Sequence, residues 1–401
     1  MEFDTASHLK KLLGLELPPL PGSSKTACAK AGEDFSFGIE EEYFLADAET
    51  MLIAEDPAPR LFEAAAEQLG SRVGREFLQP QIEVATKPHH DTADAREELV
   101  RLRHGVGEIA AEHGIAIMAA GTHPTARWRH VEQTPKKRYG AVMDGLQMIG
   151  QRNMLCGMHV HVQLPDPDRR VDVMSRMIPY IPLFVALSTS SPFWQSRRTG
   201  LLGYRLAAYD ELPRTGLPDL FKTTEEYDAY INALVKSGAV QDSSFVWWTI
   251  RPSLKYPTLE LRAPDCCTRV EDALAIAALY RALIRHLYFD HQHNGAMDVV
   301  ARAISVENKW RAQRFGVAGT FVAKDGAISV ADMLDQVIER VQDDAAALGC
   351  TAEVAACQRI IVQGTSADQQ LRIFDQGVSE RGTDAALQDV CRWIASTTVQ
   401  S

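Results

Sequence analysis

The sequence predicts an α+β fold built on a largely antiparallel sheet. Strand-like runs lie scattered among helical stretches, without the regular alternation of a βαβ protein. Several of those runs alternate apolar and polar residues with a period of two. The chain after Asp325 reads as mostly helical. Hydrophobic content of 46% and charged content of 24% over 401 residues are ordinary globular values, and a core of this size needs no covalent staples.

The elements follow in chain order. "LPPLPGSSK" (17–25) is rich in Pro, Gly and Ser, and sets a short arm, residues 1–32, apart from one domain over 33–401 with a helical C-terminal region. "FSFGIEEEYFLA" is the first strand, on the strength of Phe, Ile and Tyr. "EFLQPQIEVATKP" is the second. "DTADAREELVRLRHGVGEIAAEHG" is a helix that opens on an Asp/Thr cap and stops at Gly114. "AIMAAGT" and "CGMHVHVQLP" are strands. "PDRRVDVMSRMIPYIPLFVALSTSSP" is a helix interrupted at Pro179 and Pro182. "SFVWWTIRPSL" and "TLELRAPD" are strands, with Trp247 and Trp248 read as core or cleft wall. "RVEDALAIAALYRALIRHLYF" is long and apolar enough to be a buried helix.

The net charge of −11 argues against a general nucleic-acid or anionic-membrane binder. Seven cysteines, an odd count without a CxxC pair, suggest free thiols in a reducing compartment. The N-terminus lacks the apolar core of a signal peptide, and no run of about 18 apolar residues suggests a membrane span. A cytoplasmic protein is the expectation.

Four strands share one peculiarity. Alternation places Glu40 and Glu42 on one face, with Ile39, Glu41 and Tyr43 on the other. Gln81 and Glu83 align opposite Ile82 and Val84. His159, His161 and Gln163 align opposite Met158, Val160 and Val162, and Glu260 and Arg262 align opposite Leu259 and Leu261. A solvated outer face explains any one such strand. It explains the set less well, because exposed faces carry Lys, Thr and Ser rather than metal-competent groups. Two carboxylates about 4 Å apart repel by roughly 4 kcal/mol at an effective dielectric near 20. Glu40, Glu42, Glu83 and Glu260 converging in a cleft therefore need a cation. Carboxylate oxygens with one or two imidazoles suit Mg²⁺ or Mn²⁺. Glu41 points away and is assigned to structure or a salt bridge. His159 is a ligand or phosphate contact, His161 is open between ligand and structural residue, and His89 and His90 belong to a turn.

These motifs resemble the carboxylate–amine ligase family related to glutamate–cysteine ligase (type 2). "GIEEEYFL", "QIEVATKP", "GMHVHV" and "TLELRAPD" match its acidic, second, histidine and late strands, and "SPFWQSRRTGLLGYR", "NKWRAQRFG" and "GTSADQQ" follow in order. The resemblance covers residues 35–375. It implies a glutamine-synthetase-like fold, a curved, mainly antiparallel sheet forming an open trough with helices on its outer face. It implies ATP, Mg²⁺ or Mn²⁺, a small-molecule acid such as glutamate, an amine such as cysteine, an acyl-phosphate intermediate, and a homodimer. Glu40, Glu42, Glu83, His159 and Glu260 would hold metal. Glu83 and Arg262 would be catalytic, with Arg262 steadying the transferred phosphoryl group or the acid.

Arg152, Arg205, Asn308, Arg311 and Arg314 are further candidates for binding the nucleotide's phosphates; salt-bridge or helix-end roles are the alternative for each. No GxxxxGK[ST] loop occurs in the sequence, so ATP would bind through metal and the trough itself. Two departures from the family pattern bear on substrate. Arg198 stands where an acid is usual, and Gln163 replaces a glycine. The alternatives are a zinc hydrolase using His159 and His161, and a ligase-shaped binding protein without catalysis.

Overall fold

The computed structural model describes residues 35–295, 297–324 and 326–400. The expected N-terminal arm lies outside the described residues.

A seven-stranded antiparallel sheet organises the molecule. Its strands are β1 (Phe37–Asp47), β2 (Val73–Arg75), β3 (Gln81–Ala85), β4 (Ile115–Met118) and β5 (Met158–Gln163), joined after the small hairpin β6 (Phe193–Trp194) and β7 (Arg197–Arg198) by β8 (Ile250–Pro252) and β9 (Thr258–Leu261). The order is β2-β3-β1-β5-β9-β8, with β4 beside the C-terminal half of β1. A second hairpin, β10 (Thr320–Ala323) and β11 (Gly326–Ser329), stands apart. The sheet is open, as the α+β expectation requires.

Register does the positioning. Across β1, Glu40 stands opposite Ala85 on one side and His159 on the other, and Glu42 stands opposite Glu83. His161 pairs with Glu260, which in turn pairs with Arg251 on β8. Neighbouring strands run about 4.8 Å apart, so these pairs form a continuous row across the sheet.

The other face is apolar. Ile39, Tyr43, Ile82, Val84, Met158, Val160, Leu259 and Leu261 are all fully buried. The helix Val270–Phe289 packs beneath β5, and its Tyr280 hydroxyl donates to the Leu259 carbonyl at 3.2 Å. The helix Thr92–Glu112 packs on β4 and is capped by Asp91, whose carboxylate accepts from the Ala93 and Asp94 amides. That helix ends one residue before His113, and Gly114 follows at φ +68°, the left-handed stop the sequence predicts.

Glu41 points into this apolar layer, and a fully buried arginine meets it. Arg103 donates from Nε and Nη2 to the two carboxylate oxygens at 2.8 and 2.6 Å, and Tyr43 adds a hydroxyl at 2.6 Å. The same guanidinium donates to the Cys267 and Thr268 carbonyls, so its remaining protons are also used. His89 takes the structural role expected of it, buried against Glu98.

The helical run Pro167–Ser188 breaks into a 3₁₀ turn at Ile178–Tyr180. It is long and apolar enough to cross a membrane by composition, but 89% of its most hydrophobic window is buried inside the protein. "SFVWWTIRPSL" is corrected. Only Ile250–Pro252 is strand, and Ser243–Phe245 is a 3₁₀ turn. Trp248 instead stacks on Tyr230 at 5.6 Å and packs on Phe221, so aromatic packing accounts for what reads as strand propensity. After β11 the chain is helical, in Val330–Arg340, Thr351–Gln363 and Ser366–Thr398. The six described cysteines are buried free thiols.

Candidate active site

The polar face of the sheet lines a cleft of about 760 Å³. Glu40, Glu42, Gln81, Glu83, His159, His161, Glu260 and Arg262 all reach it, so alternation placed each of them on the correct side. Gln163 aligns with the histidines but is not among the lining residues.

Glu40, Glu83 and His159 come closest together. One ligand atom from each lies within 4.8 Å of the other two. Glu40 lies between two imidazoles, with His159 Nδ1 and His161 Nε2 each 3.5 Å from a carboxylate oxygen. Burial raises the Glu40 carboxyl, but the two imidazoles more than offset it and hold it well below the usual range. Glu42 accepts the Gly157 amide at 2.5 Å on one oxygen, and its other oxygen is 3.9 Å from His159 Nε2.

The chemistry of this set fits a divalent cation. Both ring nitrogens of His159 are buried without a hydrogen-bond partner, an arrangement that ordinarily carries a penalty. Burial, then repulsion from Glu76, Glu40 and Glu42, drives the Glu83 carboxyl far above its usual range. Burial and Glu42 push Glu76 up to about 7. Burial, then the Arg262 charge, lowers His159 and keeps its imidazole neutral, the form that ligates metal. A doubly charged ion among Glu40, Glu83 and His159 relieves each of these penalties.

The opposite wall is cationic. Arg251 donates to Glu260 from Nε at 2.8 Å and Nη2 at 3.2 Å, and Arg262 donates from Nη1 at 2.5 Å. Burial raises the Glu260 carboxyl, but Arg251 and Arg262 outweigh it and keep the group ionised. Glu260 is thus clamped by two guanidiniums, and it would reach a metal only by exchanging one of them. Arg262 also donates to the Tyr209 hydroxyl at 3.2 Å, and its Nε has no partner. Sequence reasoning missed Arg251, Glu76 and Tyr209 as cleft residues. For Arg251 the signal was its place in a strand-like run; the missing information was which strand it pairs with. Glu76 sits beyond β2 with no periodic pattern to mark it.

The phosphate-binding candidates divide. Arg205 reaches the cleft wall, but Nη1 donates to the Arg262, Ala263 and Pro264 carbonyls. It packs so closely on Gly157 that a Cβ there would lie 2.0 Å from Nη2. Arg152 pairs with Glu211 outside the lining. Asn308, Arg311 and Arg314 are not brought to the cleft. Asn308 exchanges two hydrogen bonds with Val322 of β10, Arg311 donates to Thr320, and Arg314 lies over Phe315 near the end of its helix. Arg198 is exposed and paired with Asp375. Trp247 lines the cleft, as a wall residue should.

The model of glutamate–cysteine ligase family 2 matches residues 36–391. The chain belongs to that family. It is accordingly an ATP-dependent carbon–nitrogen ligase. A Bradyrhizobium (strain ORS 278) relative, provisionally named glutamate–cysteine ligase 2, is 56% identical over 374 residues, covering 92% of this chain and 90% of its own. A Rhodospirillum rubrum relative of the same provisional name is 43% identical over 372 residues, covering 91% and 96%. In fold, the ligase is similar to Francisella tularensis glutamate–cysteine ligase solved with AMP, at TM-score 0.67, 13% identity, and 92% and 90% coverage. It is also similar to the bifunctional glutathione synthetase of Pasteurella multocida, at TM-score 0.69, 16% identity, and 91% and 53% coverage. The zinc-hydrolase alternative gains nothing from the site, where His159 and His161 flank Glu40 and no cysteine lines the cleft among the described residues.

Proposed function

We propose that this ligase activates a small carboxylic acid with ATP and passes the acyl group to an amine, with glutamate and cysteine as the pair the family name suggests. The convergence of Glu40, Glu83 and His159 opposite Arg251 and Arg262 carries the reading. Attack of a carboxylate on a triphosphate brings two anions together, so the site must supply positive charge on both sides of the transferred group. Glu40, Glu83 and His159 would hold Mg²⁺ or Mn²⁺, with Glu42 beside them. A divalent ion there supplies charge neutralisation and Lewis acidity at the phosphates.

The chain's own residues do the rest. The unpartnered Nε edge of Arg262 is available to the transferred phosphoryl group, while Nη1 stays fixed by Glu260. Arg251 holds Glu260 from the other side, so Arg262 is aimed before substrate arrives. The substrate carboxylate oxygen bonds the γ-phosphorus as the bond to ADP breaks. The amine then bonds the acyl carbon, phosphate leaves, and the amine proton is lost.

The test is to supply hydroxylamine in place of the amine, with ATP, Mg²⁺ and glutamate. An acyl phosphate predicts a glutamyl hydroxamate formed in step with phosphate release. Phosphate release that requires cysteine, with no hydroxamate, would reject the two-step route. A screen of other acids and amines then tests the substrate pair.

A further inference from the structure

A second cluster lies outside the cleft. His286, Asp290 and His293 each offer an atom within 4.8 Å of the others. His286 lies in the last turn of the helix Val270–Phe289, and Asp290 is the residue that ends it, with a carboxylate oxygen 3.9 Å from His286 Nε2. His293 comes from the turn that follows. None of the three lines the cleft.

We propose that these residues form a binding site for an imidazole-preferring divalent ion such as Zn²⁺, distinct from the Mg²⁺ or Mn²⁺ of the cleft. The hydrogen bonding of each imidazole is the reason. His286 Nδ1 lies 3.1 Å from Asp344 Oδ2, and a carboxylate can only accept, so the proton sits on Nδ1. In the neutral ring that tautomer leaves the lone pair on Nε2. It is buried, has no hydrogen-bond partner, and lies 3.9 Å from Asp290 Oδ2. A carboxylate behind a histidine whose other nitrogen is unpartnered is the outer-shell arrangement of metal-ligating imidazoles.

The second imidazole is assigned the same way. Arg340 Nη1 lies 3.1 Å from His293 Nδ1, and a guanidinium can only donate, so Nδ1 is the acceptor. The proton is on Nε2, which donates to the Tyr180 hydroxyl at 2.5 Å while the two rings stack. His293 therefore also turns a lone pair outward, and the exposed Arg340 side chain covers it. An incoming ion displaces Arg340 and keeps Tyr180. Bond lengths of about 2.0–2.2 Å require the three ligand atoms to close by roughly an ångström, within the reach of side-chain rotation.

The local charge argues for the softer ion. Asp290 and Asp344 favour a cation, but Arg340, Arg285 and Arg176 stand around them. A hard ion attracted by charge alone gains little against three guanidiniums. An ion that bonds strongly to imidazole does not depend on charge alone. Two imidazoles, one carboxylate and an open position suit zinc. The bound ion would tie the end of Val270–Phe289 to the Tyr180 turn.

Calorimetric titration with ZnCl₂ in excess Mg²⁺ tests the site on the whole protein. Cleft residues are also zinc-competent, so the same titration is run on Glu40→Gln/Glu83→Gln. Wild type and that variant should each take up one equivalent outside the cleft, and His286→Gln and His293→Gln, each added to Glu40→Gln/Glu83→Gln, should lose it with unchanged circular dichroism. If His286→Gln fails to fold, the half-buried His293 carries the test. Arg340→Met, freed of the displaced guanidinium, should bind about tenfold tighter. Co²⁺ should give a d–d band that the histidine variants lack. Zinc uptake retained when His293→Gln is added to Glu40→Gln/Glu83→Gln, or lost in Glu40→Gln/Glu83→Gln alone, overturns the proposal.

Discussion

Glu83 sits beside Glu40, Glu42 and Glu76, and without metal its carboxyl is driven toward the protonated form. Glu83→Gln should therefore separate function from stability. Metal-dependent ATP turnover should fall below detection, while the metal-free protein gains on the order of 1 kcal/mol against urea. Glu40→Gln should lose turnover equally, without that gain, because its carboxylate is stabilised by His159 and His161. Full turnover in either variant removes the metal cluster from the mechanism. The pH dependence has a definite sign. A carboxyl raised from 4.5 to about 7, as in Glu76, binds more protons folded than unfolded between those values. Its penalty is full above the folded value and is relieved as pH falls toward 4.5, by up to about 3 kcal/mol. His161, raised from 6.5, adds stability below that value and loses it as pH rises. His159, lowered, opposes both below 6.5. Urea midpoints of the metal-free protein should rise on acidification from about pH 8 to about pH 6.5, and saturating Mg²⁺ should flatten the slope.

At the level of the elements, β1 carries most of the design. Its eleven residues pair with β3, β5 and β4, and it sends acids to both faces. Arg103→Met should destabilise the protein by about 3–5 kcal/mol, because Glu41 is then a buried charge without its counterion; denaturant titration measures it. Gly157→Ala should displace Arg205 and disturb the amide that Glu42 accepts, costing about 1–3 kcal/mol and lowering activity together. The acidic and histidine strands were legible because a period of two is visible in a single chain. Which strands neighbour one another was not legible, and so Arg251 stayed hidden while its partner Glu260 was found. Asn308 and Arg311 stand away from the cleft lining for a related reason. Their motif sits in the right order along the chain, but the side chains serve the β10 edge, where Asn308 substitutes for a missing strand.

Across the whole molecule, charge is partitioned rather than averaged. A chain of net charge −11 lines its cleft with Glu40, Glu42, Glu76 and Glu83 and sets Arg251 and Arg262 around Glu260. Nucleotide binding is therefore expected to require Mg²⁺ or Mn²⁺, since the acidic side repels a bare triphosphate. Calorimetry with ATP, with and without metal, checks it, and tight metal-independent binding would contradict the partition. The sequence showed the fold class and the residues that face the cleft. It could not show that Glu260 is spoken for by two guanidiniums, because that depends on distances between segments far apart in the chain.

The run of three glutamates also acts as a lock on alignment. Losing one residue ahead of Glu40 would turn β1 over, sending two carboxylates into the oily layer where a single arginine waits and leaving one above. Such a slip is penalised from both sides at once, so the same triplet that sends Glu40 and Glu42 into the cleft also guards the threading of the strand that bears it.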